Sequence, residues 1–102
     1  MKRTKNMTYN PTTEAHELFL YAVNDGKLYR NMIKNVLDNL EKKVGKGIYN
    51  REKAVDIWYS IATKASDNYY KDFGYRFSVA DRFTTAVDMA EYYEEQILFY
   101  DL

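Results

Sequence analysis

Between Asn50 and Gly74 the apolar positions recur at steps of three and four: Val55, Trp58, Ala62, Ala65 and Tyr69 form one stripe, and Ala54, Ile57 and Ile61 a second beside it. Two adjacent stripes make a broad buried face, so the pattern predicts a helix packed on more than one side. Asn50 stands where an N-cap side chain is needed, and Gly74 follows Phe73 where a left-handed residue ends a helix. Trp58, the single tryptophan, falls mid-helix and is expected at the centre of the core.

The same reading gives three more helices. Asn10-Pro11 is a sharp start, with Glu14 in the first turn and Ala15, Leu18, Phe19, Ala22 and Val23 on the apolar face. Asn24-Asp25-Gly26 is a turn signal. A second helix is then expected from about Lys27 to Val44, burying Leu28, Met32, Ile33, Val36, Leu37, Leu40 and Val44 until Gly45-Lys46-Gly47 stops it. Ser78, with Asp81 three residues on, starts the fourth helix in a weak capping-box arrangement. Its stripe reads Val79, Phe83, Ala86, Ala90, Tyr93 and Ile97, running into Phe99-Tyr100-Asp101-Leu102. The expected fold is all-α: a four-helix antiparallel domain with short loops over residues 10–102, preceded by a flexible basic arm over residues 1–9.

Composition narrows the picture. A chain of 102 residues supports one small core and leaves little room for a deep enzyme pocket. Lys plus Arg balance Asp plus Glu at 15 each, so the molecule as a whole has no electrostatic pull toward nucleic acid or membrane. The halves differ, with 11 basic against 6 acidic residues through Lys53 and 4 against 9 from Ala54 onward. That polarity suits pairing within the fold or between copies, and a homodimer is expected. No cysteine is present and no segment is apolar enough to span a bilayer, which points to the cytoplasm and away from membranes. The eleven tyrosines exceed what a small core can hide, so part of them belongs to boundary packing or a contact surface.

Asn24-Asp25-Gly26-x-Leu28-Tyr29-Arg30, Asn39-Leu40-x-x-Lys43, Gly47-x-Tyr49 and Ala54 through Trp58 to Tyr69 carry a resemblance. Over roughly Glu14 to Phe73 the chain resembles small helical proteins of tailed bacteriophages and related mobile elements, a group with no known activity. The resemblance implies a phage or prophage origin and action in the host-cell cytoplasm. It assigns no functional residue.

Catalytic chemistry has little to build on. His16 is the only histidine, and no nucleophile motif stands near it, so a surface role is expected and no enzyme activity. Glu14 and His16 point to different sides of a helix, and no Glu-x-x-His pair occurs on the fourth helix, so neither a metal nor another cofactor is expected. Asp88, Glu91 and Glu95 share a face of that helix, read as a solvated face or a docking surface for a basic partner.

Two function classes follow. The first is a non-catalytic protein-interaction module, in a host-takeover or anti-defence setting given by the phage resemblance. Its expected partner-binding residues are Tyr70, Tyr93, Phe99 and Tyr100 with Glu91 and Glu95, and its partner a host protein. The alternative is a nucleic-acid or nucleotide binder using Lys27, Tyr29, Arg30 and Lys34 on the second helix. No phosphate-cradling glycine loop or RNA-binding motif accompanies those residues.

Overall fold

A computed structural model describes residues 13–98. Helix α1 spans Thr13–Val23. Gly26–Leu28, a π-helical turn Tyr29–Ile33 and Lys34–Gly45 run on without interruption and together form α2. Helix α3 spans Arg51–Phe73 and α4 spans Val79–Leu98. The described chain is all-α, a four-helix domain without a strand among the described residues. The arm over residues 1–9 and the Asn10-Pro11 helix start lie outside the described residues.

The ends are fixed locally. Asp25 caps α2 by accepting from the backbone N–H groups of Lys27 and Leu28 at 3.0 and 3.1 Å. Asn50 accepts from Lys53 N–H at 3.0 Å, and Ser78 Oγ from Asp81 N–H at 3.0 Å, as their positions predicted. Gly47 and Gly74 both take φ +73°, the left-handed conformation that glycine adopts without steric cost. At the end of α2, Ile48 N–H bonds Lys43 C=O and Gly47 N–H bonds Val44 C=O, the paired closure of a Schellman motif.

The π turn solves a spacing problem. Leu28 and Ile33 are both buried although five residues apart, and Leu37 and Leu40 then follow at ordinary helical steps. One wider turn carries Ile33 onto the face that Leu28 occupies. Met32, Val36 and Val44 flank that face and are half-buried.

Trp58 is the hub. It is fully buried (0% exposed) and its ring stacks on Tyr93 at 4.9 Å between centroids and 14° between planes. Its Nε1 has no hydrogen-bond partner among the described residues, so packing accounts for its contribution. Helices α3 and α4 run antiparallel: Arg51 meets Glu94, and Tyr69 meets Phe77. Helix α1 meets α4 in ascending order instead, with Thr85 Oγ1 donating to Ala15 C=O at 3.0 Å and Phe19 against Tyr92 at 5.4 Å.

On α4 the stripe holds from Ala86 through Ala90 and Tyr93 to Ile97, all buried, but Val79 and Phe83 are 63% and 53% exposed. Their place on the expected core face is corrected for a simple reason. Packing of α1 on α4 begins at Ala15 and Thr85, and no described element covers the turn before it. Thr85, Met89 and Glu94 are buried in addition, because α4 is pressed from two sides.

Candidate interaction surface

Two groups of aromatic residues stand apart. Around Trp58 the rings are sealed. At the end of α3, Phe73 and Tyr75 are exposed, Tyr21 and Tyr69 are half-buried, and Phe77 is buried beneath them.

At the closed site, Arg51 at the start of α3 reaches α4 and donates to both Glu94 oxygens, from Nε at 2.8 Å and from Nη2 at 2.5 Å. Tyr49 Oη adds a third hydrogen bond to Glu94 at 2.7 Å. Those donors hold the Glu94 carboxyl below its ordinary range, with Arg51 the larger cause, against a smaller opposing effect of burial. Burial, followed by the bond to Glu94, pushes the Tyr49 hydroxyl up. Glu91 lies 3.7 Å from the same guanidinium on the exposed side. Tyr93 is 3% exposed, and burial pushes its hydroxyl up to about 12.

At the open site, α1, the last turns of α3 and the link to α4 bring five rings together. Tyr21 meets Tyr69 at 5.0 Å and Phe73 at 6.3 Å. Tyr69 meets Phe73 at 4.6 Å and Phe77 at 4.9 Å, and Tyr75 meets Phe77 at 4.9 Å. The tyrosine hydroxyls turn to carboxylates: Tyr21 donates to Asp72 at 2.6 Å, Tyr69 to Glu17 and Tyr75 to Glu14. Burial and then the bond to Asp72 push the Tyr21 hydroxyl up to about 12, while Tyr69 is raised chiefly by its bond to Glu17.

Two open lobes share Glu17, Tyr69 and Phe73 in their linings. One, about 660 Å³, is lined by Glu17, Leu20, Tyr21, Asn24, Asp25, Tyr69, Asp72 and Phe73; the other, about 360 Å³, by Glu14, Glu17, Tyr69, Phe73, Tyr75 and Phe77. Phe73 itself is 65% exposed. A third groove, about 460 Å³, lies on the α2 side and mixes Lys27, Lys64 and Lys71 with Asp25 and Asp72.

Of the residues expected to bind a partner, Tyr93 is corrected: its ring is packed on Trp58 and offers no surface. It sits on the inner side of α4, and its neighbour Tyr92 takes the outer position. Tyr70 is exposed, with the Arg76 guanidinium 3.8 Å over its ring. Glu91 and Glu95 are exposed, Glu91 beside Arg51. Phe99 and Tyr100 lie outside the described residues. Lys27, Tyr29, Arg30 and Lys34 are all exposed on α2, and Lys27 lines the α2-side groove, where Asp25 and Asp72 accompany it.

Sequence reading missed the partnership of Glu14, Glu17 and Asp72 with three tyrosines. The partners are 51 to 61 residues apart, so no local pattern announces them. Phe73 next to the helix-ending Gly74 was the one available hint, because a large apolar residue at a helix end has fewer neighbours to cover it.

No family model matches the sequence, and neither a curated protein nor a solved structure shows significant similarity to it. No helix among the described residues is long and apolar enough to cross a membrane. No group of described His, Asp or Glu side chains is arranged to hold a metal ion. His16 is exposed and stacks on Phe19 at 6.1 Å.

Proposed function

We propose that this chain is a non-catalytic protein-interaction module whose contact surface is the groove around Phe73. The observation that carries the reading is a large apolar ring, 65% exposed, set among Tyr21 and Tyr69 and lining both lobes. Exposed apolar patches with polar rims mark surfaces that become covered, and tyrosine and phenylalanine supply contact area there. The phage-protein resemblance supports a host protein as partner, in takeover of the cell or interference with a defence.

The experiment is a comparison of baits. Wild-type protein, Phe73→Asp and an Arg30→Ala/Lys34→Ala double variant are used to capture partners from nuclease-treated bacterial extract. A protein retained by wild type and by the double variant, and lost with Phe73→Asp, supports the reading. Capture that survives Phe73→Asp and fails with the double variant overturns it. In extract left without nuclease, nucleic acid that is retained by wild type, lost with the double variant and released steeply by salt makes α2 a nucleic-acid surface instead.

A further inference from the structure

The charge of the Phe73 groove narrows what it can receive, a step that rests on the interaction reading above. Its aromatic floor is Tyr69, Phe73 and Tyr75, and its walls carry Glu14, Glu17, Asp25 and Asp72. None of the described residues lining either lobe is Lys or Arg. Among the described cations, Arg76 covers Tyr70, and Lys27, Lys64 and Lys71 line the groove on the α2 side.

Glu14, Glu17 and Asp72 each accept a hydrogen bond from a tyrosine, which is a neutral donor, and Asp25 accepts from the backbone N–H groups of Lys27 and Leu28. The bonds orient the carboxylates beside the rings and leave their charge in place. Glu94 is different, because Arg51 neutralises it within the chain. The wall carboxylates are spread along the groove rather than gathered, and they do not form a metal-holding group.

Carboxylates beside an exposed ring such as Phe73 favour a guanidinium or ammonium group, which gains from the ring quadrupole and the charge together. They repel phosphate. The chain already makes the ring contact itself, with Arg76 lying 3.8 Å above Tyr70 and Arg82 5.9 Å from the Tyr59 ring centroid. We infer that the groove binds a basic peptide segment of another protein, with an arginine or lysine side chain seated against Phe73 and Tyr69 between Glu17 and Asp72.

The test uses the full chain and a short fluorescein-labelled peptide of alternating arginine and leucine, with citrulline replacing arginine in the control. Fluorescence anisotropy measures affinity, and NMR shift changes locate binding. Replacing arginine by citrulline, or combining Glu17→Gln with Asp72→Asn, is expected to weaken binding about ten-fold or more, as loss of close charge pairs does. The shifts should centre on Tyr69, Phe73 and Tyr75. Equal affinity for the citrulline peptide overturns the inference and leaves the interaction reading standing if partner capture still depends on Phe73.

Binding that maps to Glu91 and Glu95 on α4 overturns it as well. So does a Lys2→Glu/Arg3→Glu/Lys5→Glu variant that binds the peptide about ten-fold more tightly, since release of a competing charged segment then names the chain's own first residues as occupant. A dimer in sedimentation that dissociates with Phe73→Asp makes the occupant a second copy, and also overturns it.

Discussion

Two regions of this small domain are built from the same residue types and end in opposite states. Around Trp58, the aromatic pair Trp58–Tyr93 is sealed, and the acid beside it, Glu94, is bonded to Arg51 and Tyr49. In the second region, Phe73 and Tyr75 stay exposed, and Glu14, Glu17 and Asp72 beside them accept from tyrosine hydroxyls. The difference lies in what completes each carboxylate. A half-exposed guanidinium from the start of α3 neutralises the first carboxylate and ties α3 to α4. The second site keeps its charge and its apolar surface available, which is what a recognition surface needs and a core does not.

Truncation at the two hubs should separate them most strongly. Trp58→Ala removes a fully buried ring and is expected to cost about 3–5 kcal/mol, read from urea unfolding, the range for buried aromatic truncations. A loss below about 1 kcal/mol, the size of an ordinary surface change, would mean that Trp58 is not the hub.

The next effect tests the joint on which the open site depends. Gly74→Ala forces a side chain into the left-handed region at φ +73° and should cost about 1–2 kcal/mol. Its Cβ would meet nothing within 4 Å, so the cost is conformational. Gly45→Ala, within α2 and also unobstructed, should stabilise by about 0.5–1 kcal/mol and serves as the opposite control.

Acid titration sharpens the contrast at the carboxylates. Arg51 lowers the Glu94 carboxyl from its ordinary value of 4.5, so the native state binds that proton less readily than the unfolded chain. The stabilisation is therefore fully present above the ordinary carboxylate range and disappears as pH falls through the lowered value. Glu94→Gln should remove that part of the acid sensitivity and cost about 1 kcal/mol at neutral pH, with half-exposed Arg51 limiting the effect. Asp88, raised chiefly by burial and next by Glu91, works in the other direction and is present in both proteins, so the wild-type minus variant difference isolates Glu94.

The smallest stability change belongs to the open hub. Phe73→Ala is expected to alter unfolding free energy by less than about 0.5 kcal/mol, as exposed substitutions do. Its capture of a partner should nevertheless fail. A large stability loss would erase the distinction between the two regions.

Helix existence and helix ends were legible in the chain because they are local. Asn50, Ser78, Gly47 and Gly74 act on groups within a few residues, and a side chain at an N-cap or a left-handed glycine has few alternatives. Trp58 was legible too, since a wide apolar face with an indole at its middle has to be covered. Val79 and Phe83 kept the core's periodicity without being covered, because period states which residues share a face and not how far the neighbouring helix extends.

Other assignments were settled only when helices met. Tyr92 and Tyr93 are indistinguishable by composition, yet packing on Trp58 sends one inward and leaves the other out. Glu94 found Arg51 across 43 residues, and Glu14, Glu17 and Asp72 found tyrosines across longer separations. The chain by itself determined four helices, their caps and a tryptophan-centred core, through forces that act over one or two turns. Tertiary structure alone decided which acids were neutralised and which aromatics stayed in water, because charge pairing and burial depend on what a distant segment brings alongside.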